Sequence, residues 1–85
     1  MQIDFTENAD KDLKLFIKSG NKNILKKVAE LIKSIQENPF EGIGKPEALK
    51  HELSGKWSRR INQEHRIIYE LQDKKILIHS LKGHY

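Results

Sequence analysis

The second half of the chain contains side chains that could cleave RNA without a metal ion. Glu47 follows a proline at the end of a glycine-containing loop, and His84 is the penultimate residue. Attack of a ribose 2′-hydroxyl on the adjacent phosphate requires a base, an acid and positive charge near the phosphate. The cations that could bind phosphate are Lys45, Lys50, Arg59, Arg60 and Arg66. These residue types together predict a small metal-free ribonuclease.

Three of these residues also have a simpler interpretation. Glu47 could be an exposed loop acid, and His84 could belong to a frayed chain end, although a free histidine has a pKa near 6.5 that suits proton donation. Arg66 lies within the run His65-Arg66-Ile67-Ile68-Tyr69, where a guanidinium is costly unless it meets phosphate or an acid. The acids that could pair with it internally are Glu52, Glu64 and Glu70.

The neighbouring polar and aromatic residues indicate a function less specifically than Glu47, Arg66 and His84. Arg59 and Arg60 are adjacent in a predicted strand, so their side chains point to opposite faces and one of them must enter the interior or a cleft. Tyr85 could stack on a base or close the end of the sheet. The remaining histidines fall in predicted strands and are interpreted as packing or surface residues: His51, His65 and His79.

The composition excludes several classes of protein. The chain has 85 residues and is interpreted as one domain, residues 1–85. It has no cysteine, which excludes disulfides and thiolate metal sites. No signal peptide and no apolar run near the roughly 20 residues of a membrane span is present. Nucleotide-binding loops and zinc-binding helices are also missing. We therefore expect a cytoplasmic protein without a cofactor, a metal or a membrane contact.

Positive charge is concentrated in the second half of the chain. Residues 1–43 hold seven lysines and seven acids, whereas residues 44–85 hold six lysines, three arginines and five acids. The whole net charge of +4 therefore belongs to the second half. This distribution indicates a polyanionic partner, since lysine and arginine displace counterions from phosphate backbones. Ordinary solubilising charge is the alternative.

Periodicity predicts an α+β fold. Alternation of Ile3 and Phe5 with polar residues predicts a short strand. A helix capped by Thr6 follows and stops at residues 19–21, and a second helix with an apolar stripe ends at residues 38–39. After a loop over residues 40–47, strands are predicted at residues 49–53, 57–62, 65–71 and 75–82. Their short connections favour an antiparallel meander, with the two-helix hairpin on one face of the sheet.

Several segments, taken in order, resemble the Txe/YoeB family of type II toxin–antitoxin toxins, within the RelE/ParE superfamily. The matching segments are residues 38–51, 53–55, 57–61, 64–66 and 84–85. The resemblance spans nearly the whole chain and implies a RelE-like fold. The chain departs from the family pattern at Lys82-Gly83, where the family has an arginine and an aromatic residue.

The resemblance implies a ribosome-dependent endoribonuclease that cuts messenger RNA and is neutralised by a cognate, YefM-like antitoxin. It implies that Glu47 is the general base, His84 the general acid, and Arg66 the group that stabilises charge on the phosphate. Lys50 and Arg60 match RNA-binding positions, and Tyr85 matches a terminal residue that matters for activity.

The same resemblance implies how the toxin assembles. The sequence leaves open whether the toxin is a monomer or a homodimer, and operator DNA would be bound only through the antitoxin complex. The competing hypotheses are a non-enzymatic toxin of the same fold that acts on a protein such as DNA gyrase, and a plain RNA-binding module. Neither of these needs an acid–base pair.

Overall fold

The computed structural model describes residues 1–83 and consists of two helices and a five-stranded sheet. The elements in chain order are β1 (Gln2–Phe5), α1 (Glu7–Ser19), α2 (Lys22–Glu37), β2 (Glu47–Ala48), β3 (Lys56–Arg60), β4 (Arg66–Gln72) and β5 (Lys75–Ser80). A short 3-10 helix, His51–Leu53, lies between β2 and β3. Neither α1 nor α2 is long and apolar enough to cross a membrane.

The helix boundaries follow the capping signals in the sequence. Thr6 Oγ1 accepts a hydrogen bond from the Ala9 amide at 3.1 Å, which satisfies a free donor at the start of α1. Gly20 ends α1 in the left-handed conformation, with φ at 71°. Asn21 Oδ1 accepts from the Ile24 amide at 3.1 Å and begins α2. Both predicted helices are confirmed.

The core lies between the helices and one face of the sheet. The predicted apolar stripe of α2 is buried there through Ile24, Val28, Leu31 and Ile35. The helix α1 adds Ala9 and Phe16, and the sheet contributes a matching set of buried side chains: Ile67, Tyr69, Ile76 and Ile78. Burial of these apolar surfaces, at about 25 cal/mol per Å², is the main force that holds the helices against the sheet. The predicted fold class is confirmed.

The strand order is β1-β5-β4-β3-β2. The strands β3, β4 and β5 form the predicted antiparallel meander, because each connection is too short for a crossover. The strand β1 pairs with β5 in parallel. The last strand is therefore an inner strand, flanked by β1 on one side and β4 on the other.

The predicted strand over residues 49–53 is wrong. The paired strand β2 has only two residues, with Glu47 opposite Ser58, and one further hydrogen bond joins the Leu49 amide to the Lys56 carbonyl of β3 at 2.9 Å. His51 then adopts a φ of 59°, which cannot continue a pleated strand, and the chain forms its short 3-10 turn. Only Leu49 and Leu53 are partly buried in this segment, and a spacing of four residues fits one face of a strand as well as one side of a helical turn. The other predicted strands agree with β3, β4 and β5 to within two residues at each end.

A fully buried arginine connects the sheet to the loop between α2 and β2. Arg59, in β3, has 0% exposure. Its guanidinium donates five hydrogen bonds, to Tyr69 Oη (3.0 Å), Ser34 Oγ (2.7 Å) and the backbone oxygens of Asn38 (2.6 Å), Glu41 (3.1 Å) and Ile43 (3.2 Å). Every N–H of the group is satisfied without a carboxylate. The buried charge therefore organises the loop through neutral acceptors.

The loop lies directly against this arginine. A Cβ atom at Gly42, where φ is 136°, would collide with Ser34 Oγ and lie 2.9 Å from the Arg59 guanidinium. At Gly44, where φ is 82°, a Cβ would lie 2.6 Å from a Leu31 methyl group. The two glycines are thus required because the loop backbone comes this close to the neighbouring side chains.

Tyr69 also holds the loop. Burial raises the pKa of Tyr69, so its hydroxyl stays protonated and donates to the Pro39 carbonyl at 2.7 Å.

Replacing Arg59 should destabilise the fold strongly. Arg59→Met removes all five hydrogen bonds and leaves buried acceptors unsatisfied, so we expect a loss of about 3 kcal/mol or more in the free energy of unfolding. The matched control is Arg60→Met at the adjacent, exposed position, which should change stability by no more than about 0.5 kcal/mol. Urea unfolding of both variants measures the difference. Equal midpoints would contradict the structural role of Arg59.

Candidate active site

Alternation along β3 determines which face of the sheet each predicted site residue occupies. Arg59 donates to Ser34 of α2, so its side chain lies on the helix-covered face. The two neighbours of Arg59 in the strand, Ser58 and Arg60, therefore lie on the opposite face. We call this side, which faces away from the helices, the open face of the sheet.

Strand pairing brings two more predicted residues to the open face. Glu47 is opposite Ser58 across β2 and β3, and Arg66 is opposite Arg60 across β3 and β4. Directly paired residues share a face. Two strand spacings and two residues along the strand separate the Cα atoms of Glu47 and Arg66, which is about 12 Å. At this distance the carboxylate and the guanidinium can approach a ribose phosphate between them without pairing with each other.

Arg60 and Arg66 are an unusual cross-strand pair. Like charges directly opposite each other destabilise a sheet, and the Cβ atoms of such a pair are about 5 Å apart. Within residues 1–83, neither guanidinium has an acidic partner within 4.0 Å. The internal ion pair considered for Arg66 is therefore not formed with Glu52, Glu64 or Glu70. The two arginines form a local site of positive charge that no acid of residues 1–83 neutralises.

A cleft of about 500 Å³ opens beside this pair. It extends from the end of β3 to α2, and four cations line it: Lys27, Lys45, Arg60 and Arg66. The remaining lining residues are uncharged. The Arg60 amide donates to the Gly44 carbonyl at 2.7 Å, which fixes the loop wall of the cleft against β3. A cleft with this charge is suited to phosphate groups.

Sequence reasoning missed Lys27. Its position in α2 is next to the buried Val28, and in the sequence it looks like any other charged residue on the solvated side of the helix. Only the packing of α2 over the end of β3 places it in the cleft. Lys45, in contrast, lies in the loop that the sequence already indicated.

Glu47 and Lys50 lie outside this cleft. Glu47 is exposed in β2 and shares a shallow depression of about 300 Å³ with Lys50 and His51. The structure therefore does not bring Lys50 together with Arg60, although sequence analysis assigned both to RNA binding. Ser58, opposite Glu47, is buried, and its hydroxyl has no hydrogen-bond partner within the described range. A buried unpaired hydroxyl next to a candidate base is a further polar group that sequence reasoning missed.

The described histidines have structural partners or are exposed. His79 Nε2 lies 2.8 Å from Glu70 Oε1, and this hydrogen bond holds the pKa of Glu70 below its usual range. The ring of His65 packs against Phe16 with centroids 5.2 Å apart, and His51 is exposed. His65 and His79 are thus packed against neighbouring side chains and His51 lies at the surface, as predicted. Within residues 1–83, no group of three or more acids and histidines could hold a metal ion.

The predicted general acid, His84, and the terminal Tyr85 lie outside the described residues. The structure shows where the chain approaches them. The Gly83 carbonyl accepts a hydrogen bond from the Arg66 amide at 3.0 Å, so the backbone one residue before His84 is next to Arg66.

Comparison with known proteins gives consistent matches. Residues 5–85 match the family described as the YoeB-like toxin of bacterial type II toxin–antitoxin systems. The chain is 51% identical over 85 residues to Toxin YoeB of Synechocystis sp., covering 100% of this chain and 98% of that protein. The solved YoeB dimer from Staphylococcus aureus is 49% identical, with a TM-score of 0.90, and the YoeB-YefM complex from the same organism is 50% identical, with a TM-score of 0.89. Each alignment covers 100% of this chain and 98% of the solved chain.

Removing positive charge from the cleft should reduce the salt dependence of RNA binding. Lys27→Gln tests the cleft residue that only the structure identifies. If Lys27 contacts a phosphate, the slope of log K against log salt for a short single-stranded RNA should fall by about 0.7. Fluorescence anisotropy at several salt concentrations measures this slope. Lys18→Gln, on the exposed end of α1 and outside the cleft, is the control and should leave the slope unchanged. An unaltered slope for Lys27→Gln would remove Lys27 from the site.

Proposed function

This chain belongs to the YoeB-like toxin family of bacterial type II toxin–antitoxin systems, and from that premise we propose that it is an endoribonuclease that cleaves messenger RNA on the ribosome. The family predicted from the sequence segments is thereby confirmed. One observation carries the enzymatic proposal. The paired guanidiniums of Arg60 and Arg66 have no acidic partner within residues 1–83, and they share the open face of the sheet with the carboxylate of Glu47.

In the proposed reaction, the RNA supplies its own nucleophile. Glu47 takes the proton from the ribose 2′-hydroxyl, whose oxygen then bonds to the adjacent phosphorus. Arg66 stabilises the negative charge that develops on the phosphate oxygens. The bond from phosphorus to the 5′-oxygen breaks, and His84 gives that oxygen a proton. The products are a 2′,3′-cyclic phosphate and a 5′-hydroxyl.

The positions of the cations suggest a path for the RNA strand. Phosphates on one side of the scissile bond would lie in the cleft, where Lys27, Lys45 and Arg60 are available. Lys50, on the far side of Glu47, would contact the strand beyond the scissile bond. Arg59 is excluded as a ligand because it is fully buried and all its donors are used. Tyr85 would complete the site at the chain end, by stacking on a base or contacting phosphate.

The relatives suggest the partners. The Staphylococcus aureus protein has been solved as a dimer and as a YoeB-YefM complex. We propose a YefM-like antitoxin for this chain, with an acidic segment that folds over the basic cleft. The ribosome and its messenger RNA are the proposed targets in the cytoplasm. A homodimer is the proposed self-assembly, and operator DNA is proposed to bind only through the antitoxin complex.

The cleavage products test the chemistry. We expect ribosome-bound message cut by this protein to end in a 2′,3′-cyclic phosphate or a 3′-phosphate, since the neighbouring hydroxyl is the nucleophile. A message with a single 2′-deoxyribose at the cut site should not be cleaved there. End-group analysis of the fragments measures both. A 3′-hydroxyl end, or full cleavage at the deoxyribose, would overturn the mechanism.

Substitution of Glu47 tests the base. Glu47→Gln preserves size and hydrogen bonding but removes the proton acceptor, so we expect single-turnover cleavage on the ribosome to slow by about 10²- to 10⁴-fold with ribosome binding largely intact. Glu52→Gln makes the same change at an exposed position five residues away and should cleave normally. Wild-type cleavage by Glu47→Gln would instead favour a toxin of this fold that works without an acid–base pair.

A further inference from the structure

The backbone after β5 is held by a buried carboxylate from α1. Asp12 has 8% exposure, and its Oδ2 accepts hydrogen bonds from the amides of Leu81 (2.9 Å) and Lys82 (3.2 Å). Within residues 1–83, no cation lies within 4.0 Å of this carboxylate. Burying a carboxylate is costly unless hydrogen bonds compensate it. The two amides are its described partners, so the carboxylate of Asp12 holds the segment that follows β5, residues 81–83, which we call the tail.

A histidine holds the next amide. His65 Nδ1 accepts a hydrogen bond from the Gly83 amide at 2.8 Å. An accepting Nδ1 leaves the ring proton on Nε2, which lies 3.9 Å from Glu64 Oε2. The packing of the ring against Phe16 fixes its orientation. The Arg66 amide holds the other side of Gly83 through its carbonyl at 3.0 Å.

The three consecutive amides after β5 are therefore all tethered from outside the strand. Gly83 adopts a φ of 79°, a conformation that glycine takes without strain and that turns the chain at this point. The backbone that leads to His84 is thus fixed, as far as Gly83, next to Arg66, the proposed phosphate ligand.

From these contacts we infer that Asp12 and His65 are positioning residues, which fix residues 81–83 beside Arg66 and so set the point from which the chain continues to His84, the proposed general acid. The inference rests on the proposed function. A catalytic group displaced by about 1 Å can cost about 100-fold in rate. Fixing the backbone of one residue costs about 1–2 kcal/mol of conformational entropy. Because the hydrogen bonds to Asp12 and His65 fix this backbone during folding, substrate binding does not have to supply that free energy. Neither side chain needs to touch the RNA.

Two substitutions of His65 separate positioning from packing. His65→Asn places an acceptor oxygen near the position of Nδ1 but loses the ring packing against Phe16. His65→Leu preserves apolar volume but removes the acceptor. Positioning predicts that His65→Leu cleaves about 10- to 100-fold more slowly with unchanged KM, whereas His65→Asn stays within about five-fold of the wild type. A packing role predicts that cleavage follows thermal stability, with His65→Leu the better enzyme.

Amide exchange tests the tether without reference to cleavage. In NMR spectra of the unaltered protein, the Gly83 amide should exchange slowly, and its exchange should accelerate in His65→Leu but not in His65→Asn. His79→Leu is the matched control, since it removes another sheet histidine that binds Glu70 and no tail amide. We expect that variant to have wild-type exchange at Gly83 and wild-type cleavage.

The outcomes are distinguishable. Wild-type cleavage by a folded His65→Leu whose Gly83 amide exchanges freely would overturn the inference and leave the proposed function intact. Absence of cleavage by the unaltered protein on translating ribosomes would overturn the proposed function, and the positioning role with it. If His65→Leu does not fold, Asp12→Ala, which removes both acceptor oxygens, decides by the same measurements. Faster exchange at Leu81 and Lys82 without loss of cleavage would then contradict the inference.

Discussion

The buried guanidinium of Arg59 is the constraint on which the arrangement of the site depends. A charge removed from water is tolerated only when its donors are satisfied, and here five neutral oxygens do this. Three of them are backbone carbonyls of one loop, so that loop cannot move away without exposing unpaired groups on both sides. The loop ends in β2, which presents Glu47. An interaction on the covered face of the sheet therefore determines the position of a carboxylate on the open face.

The same strand places a second arginine where no acid of residues 1–83 pairs with it. Arg59 and Arg60 are chemically identical neighbours, but the alternation of the strand sends one to the core and the other to the cleft. Arg60 then faces Arg66 directly. Like charges directly opposite each other destabilise a sheet, and a bound phosphate would relieve this repulsion. Local rules that are broken without internal compensation are most often found at functional sites.

The tail shows how stability and function are connected through the helix layer. Asp12 belongs to α1, on the covered side of the sheet, yet its carboxylate holds the segment that leads to the last two residues. His65 performs the corresponding task from the start of β4. Both side chains are largely withdrawn from solvent, so their geometry is set by core packing. The position of residues 81–83 is therefore set by side chains whose own geometry depends on the packing of the core.

The sequence by itself determined the elements and the chemical types. Capping at Thr6 and Asn21, the apolar stripe of α2 and the alternation of β3 to β5 are local signals, and local signals are sufficient for helices, meander strands and the α+β class. Only the tertiary structure decided which residues meet. The strand predicted at residues 49–53 failed because burial at Leu49 and Leu53 alone does not distinguish a strand from a helical turn. Whether Arg59 or Arg60 is buried, and whether Lys27 reaches the cleft, depends on the packing of α2 over β3. That packing brings together residues more than 20 positions apart in the sequence, and local periodicity does not predict which distant residues come into contact.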